Sequence, residues 1–340
     1  MKALVTGSAG FLGGYLVEEL LNSGHEVVGI DNFSKYGEVV KSYEGNPRYS
    51  FVRGDCKDSD LLKELAADCD QLVAIAAMIG GISYFHRFAY DLIAENERIM
   101  AATFDAAISA FREKRLSRII VVSSSMVFEN AVKFPSVEGD QLKCPPPSST
   151  YGFQKLACEY FAKGAWEQYQ LPYTIVRPFN CVGIGERRAV TGEKLKKGNV
   201  ELALSHVVPD LVLKVLTGQD PIEILGDGSQ IRHYTYGGDL ALGIRIAMES
   251  NAAINEDFNL SNATSTTVLE LAELIHRKVR GPDSPFRWVS VEPFPYDVQK
   301  RVPDVSKAKR LLGFEATTTL DQMLDEVIPW IRAEMERGAF

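Results

Sequence analysis

The chain has 340 residues, 46% hydrophobic and 24% charged, with Lys+Arg 37 against Asp+Glu 45 and a formal net charge of −8. That length suggests about two domains and a core that needs neither disulfides nor metal. The composition excludes disorder and repeat arrays, and the acidic balance argues against nucleic acid as a partner. The five cysteines, Cys56, Cys69, Cys144, Cys158 and Cys181, form no CxxC pair and are odd in number, which points to a reducing, cytoplasmic setting. Gly7 breaks the opening apolar run, so no signal peptide is expected, and no apolar run reaches the roughly 18 residues of a membrane span.

In chain order, residues 2–6 read as a strand, 11–23 as a helix with Leu12, Tyr15, Leu16, Leu20 and Leu21 on one face, and 26–31 as a second strand. A strand over 50–54, a helix near 58–67 and a strand over 71–76 follow. A long helix spans about 88–113, then come the strand Arg118–Ser123, a helix near 150–168 and the strand Tyr173–Arg177. Strands alternating with helices predict an α/β fold, a Rossmann-type doubly wound parallel sheet with helices on both faces. After Arg177 the pattern changes. Residues 184–199 are polar, glycine-spotted and basic, and read as a loop; helices are expected near 200–217, 237–250, 266–279, 305–312 and 319–337, with proline-rich loops at 145–147 and 293–303. The expected division is a dinucleotide domain over 1–179, to which 234–262 returns, and a smaller mixed α/β lobe from 180–233 and 263–340.

Thr6-Gly7-Ser8-Ala9-Gly10-Phe11-Leu12-Gly13 follows a strand and opens a helix. Gly7 permits the tight turn, Gly10 lets backbone approach a pyrophosphate, and Gly13 allows close helix–strand packing. The helix N-terminus offers free N–H groups to phosphate. Asp31 ends the second strand, where a carboxylate bonds ribose hydroxyls and repels a 2′-phosphate, favouring NAD over NADP. The alternative is a plain glycine turn with a solvated aspartate. Asp55-Cys56, after the third strand, is placed to contact adenine.

Tyr151 and Lys155 are four apart and share a helix face. An ammonium near a phenol favours the phenolate, and the same lysine can bind ribose hydroxyls. Such pairs also arise by chance as an aromatic over a lysine stem. Here the pair follows the strand ending in Ser123-Ser124-Ser125, on the sheet edge where open α/β folds bind ligands.

With these residues the chain resembles the extended short-chain dehydrogenase/reductase family, among its NAD-dependent nucleotide-sugar epimerases and dehydratases. The resemblance covers nearly the whole chain. It rests on Gly7, Gly10 and Gly13, Asp31-Asn32, Asp55, Ala76-Ala77, Asn96, Ser123 to Ser125, Tyr151 with Lys155, and Arg177-Pro178-Phe179-Asn180. It continues in Gly226-Asp227-Gly228-x-Gln230-x-Arg232 and Asp239. The resemblance implies Tyr151 as general base, Lys155 as its partner and ribose clamp, and Ser124 as the hydroxyl sharing the substrate hydrogen bond. It implies a dinucleotide held by Gly7, Gly10, Phe11, Leu12, Gly13, Asp31, Asn32, Asp55, Cys56, Ala76 and Asn96 together with Tyr151 and Lys155. Asn180 is implied as a substrate ligand, and Arg232 and Arg301 as clamps on a nucleoside diphosphate, a task that suits planar guanidinium.

The same family divides by the residues after the catalytic serine. Dehydratases of the family need an acidic pair there, decarboxylases a glutamate and C3/C5 epimerase-reductases a cysteine at the second place, whereas this chain has Ser125 and Met126. Methionine donates no proton. The expectation is therefore epimerisation at C4 through a transient ketone, with Met126 either core or compensated by an acid from elsewhere. Gly80-Gly81 resembles a loop that lets GDP-sugar 3,5-epimerases approach the sugar closely, which keeps open a lyase or 3,5-epimerase; Gly80, Gly81, Ser125 and Met126 are thus expected beside the sugar. A non-enzymatic dinucleotide-binding protein is the further alternative. His86 could titrate, although a lone loop histidine is more often structural. Arg187, Arg188, Lys194, Lys196 and Lys197 could cover an acidic sugar or a phosphate, although such a run is more often a solvated loop. Asn259, Ser261 and Asn262 are expected in a loop able to meet the base. No metal is expected. The helices over 88–113 and 150–168 would pair across a two-fold in a homodimer, as in the family.

Overall fold

The computed structural model describes residues 1–79, 88–187, 206–293 and 297–338, with 196–197 and 200–201 as backbone. Gly80, Gly81, His86, Arg188 and Lys194 lie outside the described residues, as do the side chains of Lys196 and Lys197.

Seven parallel strands form the central sheet: β1 (Lys2–Thr6), β2 (Glu26–Asp31), β3 (Tyr49–Arg53), β4 (Gln71–Ala74), β5 (Arg118–Val122), β6 (Tyr173–Pro178) and a last strand, Glu256–Leu260. Their order across the sheet is β3-β2-β1-β4-β5-β6 and then Glu256–Leu260. Between β1 and β4 the connections change direction, which opens a crevice at the strands' C-terminal ends. Side chains alternate along each strand. Ala3 and Val5 join the core under α1 (Phe11–Asn22), with Leu16, Val17, Leu20 and Ile244. Leu4 joins the opposite core, under α2 (Ser59–Ala66), α3 (Ala89–Arg112) and α4 (Thr150–Tyr169), with Leu62, Phe104 and Ala162. Strand β5 is buried along its whole length, the pattern of a strand covered on both faces.

Strand β4 stops at Ala74 rather than reaching 76. The buried Thr6 hydroxyl donates to Val73 O at 3.2 Å and accepts the N–H groups of Ile75 and Ala76, each at 3.1 Å. Those donors are withdrawn from the ladder, and the chain turns out over the crevice.

A further apolar core gathers Val212 from helix Val207–Leu216, Leu271 and Ile275 from helix Val268–Arg280, and Leu324 and Val327 from helix Leu320–Glu336. The parallel pair Ile222–Leu225 and Trp288–Val291 completes it. Two of these helices begin with reciprocal capping boxes, Thr267 with Glu270 and Thr319 with Gln322. The helix expected from residue 200 starts instead at Val207, with His206 extended as its N-cap and Pro209 in its first turn, where proline's missing N–H costs nothing. Lys196–Lys197, in the stretch read as a loop, pairs antiparallel with Val200–Glu201, where the expected helix was to begin.

The chain crosses back to the sheet twice. Helix Gly237–Glu249 contributes Leu240 and Ile244 to the core beneath α1. Ala308, Phe314 and Ala316 join the same core from the helix Ser306–Leu312 and the segment after it.

Candidate active site

Thr6 lies opposite Ile30 in the register, so the glycine loop leaves β1 level with Asp31. Gly7 has φ +70, and a Cβ there would lie 2.9 Å from Ala76 Cα; a Cβ on Gly13 would lie 2.1 Å from Gly7 O. Only glycine packs at these two places. No side chain caps the N-terminus of α1, and no acidic residue stands in its first turn, so its N–H dipoles face the crevice unneutralised. Asp31 holds the surrounding loops: Oδ2 accepts from Ala9 N at 3.1 Å and Oδ1 from Phe33 N at 2.8 Å. A bare backbone cradle at a helix N-terminus, flanked by a strand-end carboxylate, fits the pyrophosphate and ribose of a dinucleotide.

This loop lines a cavity of about 610 Å³, in the range of small-molecule sites. The same cavity is lined by Gly7, Gly10, Phe11, Leu12 and Gly13, by Asp31 and Asn32, by Asp55 and Cys56, and by Ala76. Ser124, Ser125, Met126, Tyr151, Lys155, Asn180, Arg232 and Arg301 line it as well. Burial pushes the Cys56 thiol up to about 12, so it meets the cavity as a neutral group. Asn96 stands behind the wall. Its side chain accepts from Met78 N at 2.6 Å and donates to Met78 O at 3.0 Å, fixing the segment after β4.

Tyr151 and Lys155 are buried on α4. Lys155 Nζ donates to Val122 O at 3.0 Å and lies 6.0 Å from the Tyr151 ring centre. Ser124 caps the 3-10 turn Ser125–Phe128; its hydroxyl oxygen accepts from Met126 N at 3.2 Å, leaving its proton to donate elsewhere. Met126 belongs to one apolar cluster with Leu92, Tyr151 and Val298, so the place after the serines is filled by a packed thioether. Glu129 fixes the start of α4: its carboxylate accepts from Ser149 N and, at 2.7 Å, from Ser149 Oγ, while Ser149 caps the helix by accepting from Gly152 N at 3.0 Å.

Arg232 and Arg301 both reach the cavity. Arg232 is held by Ile231 O at 2.9 Å and by Asp297 at 3.5 Å. Burial first, and repulsion from Arg232 second, pull Arg301 down to about 9. An anion would relieve both. Asn180, in the left-handed region at φ 35, donates to His233 O at 2.9 Å and accepts from Arg301 Nη1 at 3.4 Å. Its amide therefore positions the arginine.

Several cavity residues were not singled out from the sequence. Lys35 and Tyr36, from the loop after Asn32, line the cavity with Cys181, Glu186 and His206. Burial would raise the Glu186 carboxyl, but His206 and Lys35 outweigh it and hold it low. Burial also pulls the Lys35 ammonium down to about 8, against the attraction of Glu186. Nothing local marks these residues, which meet from three separate segments. Tyr234 was legible in principle: it stands two residues from Arg232 in extended chain and so shares its face.

Two expectations change. Asn259, Ser261 and Asn262 are buried and do not line the cavity; Asn259 donates to Ser136 O at 3.1 Å and Asn262 to Thr318 O at 3.1 Å, which tie loops together. Their amide N–H groups donate to backbone carbonyls, away from the cavity. Of the basic cluster, Arg187 is committed to the buried carboxylate of Glu334 at 2.8 Å.

The model of the NAD dependent epimerase/dehydratase family matches residues 3–261. The chain is similar to UDP-glucuronic acid decarboxylase 1 of Danio rerio, 27% identical over 344 residues covering 99% of this chain and 74% of that protein. It is similar to an uncharacterized UDP-glucose epimerase, YtcB, of Bacillus subtilis, 28% identical over 345 residues covering 97% of this chain and 98% of that protein. Among solved structures it is similar to the UDP-glucuronic acid 4-epimerase of Bacillus cereus in complex with UDP-glucuronic acid and NAD, with a TM-score of 0.79, 26% identity, and coverage of 98% of this chain and 99% of that chain.

Proposed function

The chain belongs to the NAD dependent epimerase/dehydratase family, and on that premise we propose that it epimerises a nucleoside-diphosphate sugar at C4. One observation carries the choice of reaction. Ser124, Tyr151 and Lys155 line one cavity with the glycine loop, while Met126, packed with Tyr151, fills the place where the family resemblance implies a further acid for other reactions.

NAD, when bound in the cradle of Gly7, Gly10, Phe11, Leu12, Gly13 and Asp31, supplies the acceptor and later the donor of hydride. The chain's own residues do the rest. Tyr151 takes the proton of the C4 hydroxyl as that carbon becomes a ketone, and returns it once the other face of the ketone has been reduced. Ser124 donates to the same oxygen. The Lys155 ammonium, fixed on Val122 O, stands on the Tyr151 side of the cavity, where it is placed to hold ribose hydroxyls. Arg232 and Arg301 hold the diphosphate through the half-turn of the sugar, since a guanidinium fork binds phosphate without needing the sugar to stay put.

Decarboxylation is the second reading, supported by relatives named UDP-glucuronic acid decarboxylase. One experiment separates the two. Purified protein is incubated with UDP-glucose, UDP-glucuronic acid and GDP-mannose, and the products are examined by NMR and mass spectrometry. C4 inversion at unchanged mass is expected; loss of carbon dioxide or water overturns it. The active form is proposed to be a homodimer across α3 and α4, where Tyr90, Phe153 and Tyr160 are exposed, with a dimer's mass expected in sedimentation.

A further inference from the structure

We propose that the Tyr234 hydroxyl is a third donor to the substrate's diphosphate, beside Arg232 and Arg301; this rests on the nucleotide-sugar reading above. Tyr234 is 3% exposed and lines the cavity. Its ring belongs to that further apolar core, with Val182 and Val208, so its direction is fixed by packing. Among the described residues its hydroxyl has no hydrogen-bond partner. A buried hydroxyl without a partner is costly, and native structures keep few of them without a use. The neighbouring Arg301 Nε is likewise buried and unpartnered among the described residues. Two residues with unmet donors therefore line the same cavity.

The surrounding charge says what they await. Arg232 and Arg301 are the charges acting on the phenol, so the local field favours an anion. Burial nevertheless raises Tyr234 well above the ordinary phenol range, overriding both arginines, so it keeps its proton and acts as a donor. A diphosphate oxygen between two guanidiniums offers the acceptor lone pairs that an O–H and an N–H require. Phenylalanine would fill the same apolar core without supplying that donor.

The test compares wild type with Tyr234→Phe. Both are titrated calorimetrically with UDP, GDP, UDP-glucose, uridine and guanosine, and the ligand-free Tm of each is recorded. Tyr234→Phe is expected to bind the favoured diphosphate about tenfold more weakly, to bind the nucleosides as wild type does, and to melt no lower than wild type, because no bond is lost in the free protein. An unchanged Kd for the diphosphates overturns the proposal. So does a loss confined to UDP-glucose, which would place the contact on the sugar, or a lowered Tm, which would mean the hydroxyl is already bonded. If wild type binds none of these nucleotides, the nucleotide-sugar reading fails and the tyrosine's role falls with it.

Discussion

Arg177 and Glu159 form a fully buried bidentate pair, Nε to Oε1 at 2.7 Å and Nη2 to Oε2 at 2.8 Å. Ser123 Oγ donates to the same Oε1 at 2.7 Å, and Arg177 also reaches Asp257 at 2.7 Å. The pair therefore joins β6, the end of β5 and the helix that carries Tyr151 and Lys155. A charge left alone in this interior costs about 3–5 kcal/mol, whereas replacing both partners with apolar groups is often neutral. Arg177→Met is expected to lose about that much stability in urea unfolding, and Arg177→Met with Glu159→Leu to recover most of it.

Tyr151→Phe keeps the ring that packs with Met126 and Leu92 and removes only the hydroxyl. Turnover is expected to fall by about 10²–10⁴-fold, with cofactor content and nucleotide affinity near wild type. Steady-state assays beside isothermal titration check both halves. Undiminished turnover would remove Tyr151 from the mechanism.

Gly13→Ala places a methyl 2.1 Å from Gly7 O, a backbone atom that cannot swing away. The loop must open, and with it the cradle for the pyrophosphate. NAD released on denaturing the purified variant is expected to be a small fraction of the wild-type yield. A variant that still carries a full complement would show that the loop tolerates the shift.

Burial would raise the Asp257 carboxyl, but Arg177 and Lys307 outweigh it and hold it at about 2, against 3.8 for the free group. Its ionised form thus stabilises the fold at and above the unfolded value, and this contribution is lost as the pH falls from about 4 towards 2. The difference amounts to about 2 kcal/mol. Asp257→Asn is expected to be less stable than wild type by that order at pH 7, with the gap narrowing in acid. Urea midpoints measured from pH 6 to pH 2.5 test the slope; a gap that stays constant contradicts it.

Much of the fold was legible because its signals are local. The glycine spacing after β1, the alternation of apolar runs, and Tyr151 with Lys155 one helical turn apart each act within a few residues. Where tertiary context competed, the reading slipped: β4 ends early because Thr6, far away in sequence, takes its next two donors. The helix read from residue 200 begins only at Val207.

By itself the sequence determined the sheet-building pattern, the glycine loop that opens the first helix and the shared face of Tyr151 and Lys155, since spacing along one strand or helix fixes which side chains share a face; the part of Ser124 came only from the family resemblance. Tertiary structure alone decided which charges meet. Lys35 finds Glu186, Arg177 finds Glu159, and the Tyr234 hydroxyl, without a partner among the described residues, comes near Arg232 and Arg301. The physical reason is that burial makes each of these groups depend on its nearest polar neighbour, and that neighbour comes from wherever the chain folds back.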